Sequence, residues 1–295
     1  MAVTDRMRAI KLSDVGALLK DSAAQWSGHR ASSRGAALAL YMIFSLAPML
    51  ILVIAVAGAF FGQDAVQAQL VDQLRDLMGE RGAEVVQTVL ASAHQSDSGL
   101  IASLVSLGVL VFSATTAFSE LQASLDELWD VPPEEQPGGL MGFVKARFWS
   151  FGLVVVLALF LLVSLTVSAA LAAAQSVYGA WWANSTFAMT ADAVARVFSF
   201  AVVTALFAVV YKMLPSTRIP WRDVVPGAII TAALFILGKW GIGLYLGKGG
   251  VADTYGAAGS VVAVLLWIYY SAQIFFFGAV MTRQFALRFG SRARP

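Results

Sequence analysis

The chain has no cysteine and only two histidines, His29 and His94, among its 295 residues. Disulfides, thiol nucleophiles and cysteine-based metal sites are therefore excluded. The two histidines fall on opposite sides of the topology derived below, so they cannot share a zinc ion or act as an acid–base pair. No HExxH, Walker-type glycine loop or GxSxG is present. Charge is also scarce, at 13% of residues against about 25% in a typical soluble chain. The net charge of +2 is small and its basic residues are dispersed, which argues against a nucleic-acid partner. Glu134 and Glu135, in a Pro-Gly-rich stretch, read as a solvated turn rather than a metal site. The chain reads as a non-enzyme without cofactor or metal.

What is abundant is apolar sequence: 59% of residues, with a mean hydropathy of +0.75. A helix needs about 20 mostly apolar residues to cross a hydrocarbon core of about 30 Å. Six stretches meet that length, at 36–62, 100–118, 148–174, 191–211, 224–246 and 259–281. The expected fold is all-α, a polytopic membrane protein with six transmembrane helices and short amphipathic helices, forming a single membrane domain over 1–295. The first 35 residues carry no short apolar stretch followed by a cleavage site, so span one is the expected insertion signal.

Cations set the orientation. Arg6, Arg8, Lys11, Lys20, Arg30 and Arg34 precede span one, Lys145 and Arg147 precede span three, Lys212, Arg218 and Arg222 follow span four, and Arg283, Arg288, Arg292 and Arg294 follow span six. These fifteen lie on one side, against Arg75, Arg81 and Lys248 on the other. The positive-inside rule places both termini in the cytoplasm, where the basic rim meets anionic lipid heads.

The segments outside the spans are short. Residues 1–35 carry Leu12, Val15, Leu18, Leu19 and Trp26 at helical spacing, which predicts an amphipathic helix on the cytoplasmic face. The periplasmic segment 63–99 repeats Val66, Leu70, Leu74, Leu77, Val85, Val86, Val89 and Leu90 and predicts two short helices broken near Gly79 to Gly82. After span two, Leu121, Leu125, Leu128 and Trp129 continue an amphipathic helix that stops at Pro132 and Pro133. Residues 282–295 form a basic cytoplasmic tail.

Charges within spans are costly and usually face a protein interior or a wet cavity. Lys239 stands about 22 Å up span five at 1.5 Å per residue, with the bare positions Gly243 and Gly247 following on its face. Snorkelling to the interface would also accommodate it. Arg196, one turn after Asp192, lies near the outer end of span four, and an intrahelical ion pair is the plainer reading. Together with Lys248 and Asp253 these residues project to the outer half of the membrane. They outline a candidate ligand-binding site of Lys239, Arg196, Asp253, Tyr255 and Gly256, open to the periplasm and suited to an anionic solute or lipid phosphate. Asp253 opens span six near its positive dipole end, while Trp267, Tyr269 and Tyr270 lie deeper, as core or pathway lining.

In span one, Ser45 and Pro48 predict a helix kink, with Ser45 able to take up a freed backbone group. Gly58 and Gly62 read as a small-xxx-small packing pair, and stripes of this kind permit a homo-oligomer.

The blocks "RGAALALYMIFSLAPMLILVIAVAGAFFG", "LQASLDELWDVPP", "YKMLPSTRIPWRDVVPGAIITAALFILGKWGIGLYL" and "DTYGAAGSVVAVLLWIYYSAQIFFFGAVMTR" resemble the successive signatures of the YihY/virulence-factor BrkB family. They are spread from residue 34 to residue 283, so the resemblance runs over nearly the whole chain. The resemblance implies a six-helix bacterial inner-membrane protein, in a family labelled variously as ribonuclease BN, virulence factor, transporter or lipid exporter. Where family members carry a Gly-Ala-Glu-like sequence, Gly278 and Ala279 are here followed by Val280. The expected function is a transporter or lipid-translocating protein whose partners are membrane lipids and an anionic solute or lipid. The alternatives are a non-transporting envelope-integrity or virulence scaffold and, fitting these residues least, a membrane-bound ribonuclease.

Overall fold

The structure, a computed structural model, describes residues 12–28, 30–93, 118–134, 185–247 and 259–293, with isolated positions 108, 116, 148, 152 and 155. The described residues are helical, with no strand among them. Six long helices are resolved: α1 (Leu12–Gly28), α2 (Ala31–Phe61), α3 (Gln63–Ala93), α4 (Ser185–Met213), α5 (Trp221–Gly247) and α6 (Gly259–Arg288). A seventh helical segment covers 118–128. Spans two and three of the sequence reading, apart from the end of span two and scattered positions, lie outside the described residues.

Among the described residues three stretches are long and apolar enough to cross a membrane: Arg196–Met213, Trp221–Gly241 and Val261–Arg288. A fourth qualifies if the bent halves of α2, Ala31–Leu46 and Pro48–Phe61, count as one span. The bend is 50° and falls at Pro48, as expected from the missing amide and the clash with the carbonyl four residues back. Ser45, buried beside it, donates to the Met42 carbonyl at 3.3 Å.

Two expectations are corrected at the α2–α3 junction. Gly58 and Gly62 do not form a helix-packing stripe. Gly62 takes φ +86°, a left-handed conformation that favours glycine, and its amide closes on the Gly58 carbonyl at 2.9 Å. A Cβ on Gly58 would strike Gln63, so the pair builds the corner into α3. Past that corner, α3 runs unbroken through Gly79 to Gly82. Its first half buries Val66, Leu70 and Val71, its second half Ala83, Val86 and Leu90. At 3.6 residues per turn Leu70 and Val86 point about 160° apart, so the buried stripe changes face without the helix breaking. α3 packs on α2, α5 and α6.

The remaining helices meet at one end of the bundle. Gln273 of α6 donates to the Ser32 carbonyl at the start of α2 at 3.3 Å, and the two helices pack on each other. The ends of segment 118–128 and of α4, the start of α5 and the end of α6 all converge there through the contacts described next.

Candidate functional site

Segment 118–128 ends because Asp130 adopts φ 49° while the Val131 amide reaches back to the Asp126 carbonyl at 2.9 Å. This is a Schellman-type stop with an aspartate in the left-handed position, placed just ahead of Pro132 and Pro133. It positions Asp126 and Asp130 against neighbouring helices. Asp126, only 2% exposed, accepts from both the amide (2.6 Å) and the hydroxyl (2.7 Å) of Ser216 in the α4–α5 turn. Gln122 donates to the same hydroxyl at 3.3 Å. Burial pushes the Asp126 carboxyl above the usual carboxylate value, against the two Ser216 bonds. Asp223, in the first turn of α5, is bonded in the same way to the amide and hydroxyl of Ser291 beyond α6.

Ion pairs surround these contacts. Arg34 of α2 pairs with Glu127, Arg283 of α6 with Asp130, and Arg288 with Asp21 of α1 at 2.7 Å. Arg292 donates to Thr217 at 2.8 Å and lies 5.2 Å over the Trp129 ring. The Lys212 ammonium is held by the Ile219 carbonyl across the α4–α5 turn. Each of the described helices named here is thus tied to another element at this side.

One turn further into the bundle the packing is apolar and close. Gly227 of α5 faces Thr282 of α6, and Gly278 of α6 faces Thr231 of α5 and Tyr211 of α4. Two Gly-xxx-Thr sequences on antiparallel helices therefore interlock, each threonine over the other's glycine. Each hydroxyl bonds the carbonyl four residues back, Thr231 to Gly227 at 2.7 Å and Thr282 to Gly278 at 2.8 Å. The Tyr211 hydroxyl donates to the Phe275 carbonyl at 2.8 Å and stands 3.0 Å from Thr231, joining α4 to both partners. Phe207, Phe235, Trp267, Phe275 and Phe276 continue this seam. Trp267 packs on Phe235 and Tyr270 lies against Gly238, so both serve the α5–α6 interface, the core role rather than the pathway role.

Away from this end, α4 loses cover. Val194 and Val197 are 65% and 68% exposed, and Leu237 and Trp240 on α5 are exposed as well. The candidate cations lie here, Arg196 exposed and Lys239 half-buried. They are not at one level. Tyr211 meets Thr231 and Phe207 meets Phe235, a register that sets Lys239 opposite Val203 and Arg196 opposite Leu246. Arg196 therefore stands about 10 Å beyond Lys239 along the α4–α5 seam, at 1.5 Å per residue. Asp253, Tyr255, Gly256 and Lys248 lie outside the described residues, as do Gly243 and Gly247 where their side-chain positions are concerned. Among the described residues no group of three or more His, Asp or Glu side chains converges.

The sequence reading missed the Asp126–Ser216 and Asp223–Ser291 pairs and the threonine–glycine exchange. Each joins residues far apart in the chain, and only the twin Gly-xxx-Thr spacing was visible beforehand.

The family model described as "Virulence factor BrkB" matches residues 22–295, nearly the whole chain. The chain belongs to the BrkB family. Its BrkB-family relatives include a protein named "UPF0761 membrane protein" from Stenotrophomonas maltophilia (strain R551-3), 32% identical over 244 residues, which cover 79% of this chain and 52% of the relative. A second, from Kangiella koreensis, is 22% identical over 261 residues, covering 87% of this chain and 60% of the relative. One from Yersinia pestis (strain Pestoides F) is 32% identical over 103 residues, 35% of each chain. The chain thus spans about half the length of the first of these curated relatives. No solved structure matches. The protein is a BrkB-family membrane protein, and the blocks quoted from the sequence fall on the tied helix ends, the interlocked helices and the bend of α2.

Proposed function

We propose that this protein moves an anionic solute or the head group of an anionic lipid across the bacterial inner membrane, with both termini on the cytoplasmic side. The observation that carries this reading is the unequal packing of α4. It is hydrogen-bonded to both neighbours at Tyr211 and bare at Val194 and Val197. Two cations, Lys239 and then Arg196, are staggered along the loosened part of the seam. A charge at mid-depth costs at least about 2.5 kcal/mol on insertion scales, so a helix that keeps one generally uses it. Two successive cations give an anion two stations on one path, Arg196 near the mouth and Lys239 deeper, with the mouth completed by Asp253, Tyr255 and Gly256. Translocation by this route requires no catalytic group, and we place the protein outside the enzymes. Copies of the chain are free to pair through the exposed apolar faces.

The test is Lys239→Ala assayed for anion or lipid movement in reconstituted vesicles. Loss of movement in a protein inserted at the wild-type level is expected. Full activity in such a variant removes Lys239 from the path. One observation favours a non-transporting scaffold: the tied end holds α1, α2, segment 118–128, α4, α5 and α6 together through named contacts. On that reading Lys239→Ala and Arg196→Ala are silent, while deletion of 64–94 abolishes function.

A further inference from the structure

Two buried carboxylates close the tied end, Asp126 and Asp223, each 2% exposed and each held by one serine through its amide and hydroxyl. Their settings differ. Asp223 occupies the first turn of α5, where the positive end of the helix dipole favours a negative charge. Asp126 occupies the last turn of segment 118–128, where the carbonyl end of the helix disfavours one.

The charged groups around Asp126 are turned elsewhere. On its own segment Glu127 faces Arg34 and Asp130 faces Arg283. From the α4–α5 turn, Lys212 reaches the Ile219 carbonyl, while Arg218 is exposed. From beyond α6, Arg292 is taken by Thr217 and the Trp129 ring, and from α5 Asp223 is taken by Ser291. Among the described residues Asp126 therefore has neutral donors and no cation. A buried carboxylate so placed is easily kept as the acid and unstable as the anion, unless its surroundings open to water.

We propose that Asp126 is a proton-binding site that controls the tied end: protonated, it holds segment 118–131 on the α4–α5 turn, and ionised, it favours release of that segment. The direction follows from linkage. Burial raises the carboxyl above its ordinary value of 3.8 in the closed arrangement, and release into water returns it towards that value. The closed form therefore binds the proton more tightly, and acid closes the end. Below the ordinary value both forms are protonated and pH has no effect. Between the ordinary and the raised value the closed form loses ground as pH rises, and above the raised value the full penalty is in place. Each unit of separation between the two values changes the closed-to-open ratio about tenfold. The transport reading asks for movement only along the far part of α4, and the test here reads distance at the tied end and not transport, so the two fail separately.

The absence of native cysteine makes the test direct. Spin labels on Ala123→Cys and Arg218→Cys, both exposed positions on the two elements that Asp126 joins, report their separation by pulsed electron paramagnetic resonance in lipid nanodiscs. Between about pH 4 and about pH 8 a second, longer distance is expected to grow, its ratio to the short one rising about tenfold per unit of separation. In an Asp126→Asn background, which fixes the neutral form, the short distance is expected at every pH. A distribution that ignores pH, or one that moves equally with Asp126→Asn, overturns the proposal. Should Asp126→Asn fail to insert, Asp126→Glu keeps a titratable carboxyl one methylene further out, and its midpoint is expected to move. An unmoved midpoint counts against Asp126 as the titrating group.

Discussion

At its Met213 end α4 carries Tyr211, 1% exposed and in contact with α5 and α6 through one hydroxyl, whereas fourteen residues earlier Val197 is 68% exposed. The same helix is thus core at one end and surface at the other. The difference is made by partners. Near Tyr211 the neighbouring helices present glycines, so backbones come close and hydroxyls reach carbonyls. Near Val197 the described side chains of α4, Val194, Arg196 and Val197 among them, are exposed instead of packed. Where helices meet in lipid, small residues and hydrogen bonds do the holding, because apolar area alone drives little association there.

The sharpest way to break that comparison is to fill the close approach. Gly278→Ala puts a methyl group onto the Thr231 and Tyr211 hydroxyls. A cost of about 3 kcal/mol is expected, read as a fall in the unfolding midpoint of the purified protein. The matching change at the loose end is Gly241→Ala, where an added Cβ meets nothing within 4 Å. Here the midpoint is expected to rise, since replacing an exposed helical glycine contributes up to about 1 kcal/mol. If both changes destabilise equally, the two ends are not packed differently. The smallest effect belongs to the rim. Asp21→Asn removes the partner of Arg288, but both side chains are more than a third exposed. Less than about 0.5 kcal/mol is expected, vanishing at high salt.

Much of the fold was legible because membrane insertion reduces to run length and local chemistry. Pro48 bends α2 for a covalent reason that no tertiary context removes. Pro132 and Pro133 likewise mark the stop of segment 118–128. The continuity of α3 was not legible. A helical glycine costs only about 1 kcal/mol, and the change of buried face between Leu70 and Val86 imitates a break when periodicity alone is followed. The corner at Gly58 and Gly62 was misread because the same spacing serves close packing and a left-handed helix end. Of the candidate site, Lys239 and Arg196 stood out by their cost in an apolar span. Their 10 Å stagger, about seven residues of helix, depended on the α4–α5 register, which the rings of Phe207 and Phe235 set. The carboxylates of the tied end looked like ordinary rim charges because their burial comes from elements 68 and 90 residues away.

Tyr211 also has a mechanical meaning. A rod clamped near one end and exposed towards the other turns about its clamp. From Tyr211 to Arg196 is an arm of about 22 Å at 1.5 Å per residue, so a tilt of about 10° sweeps the guanidinium through about 4 Å. That distance is comparable to the width of a phosphate group. Replacing the tyrosine by phenylalanine leaves the ring as a bearing and removes the hydroxyl that stiffens it, so the far end of α4 would swing more widely about the same axle.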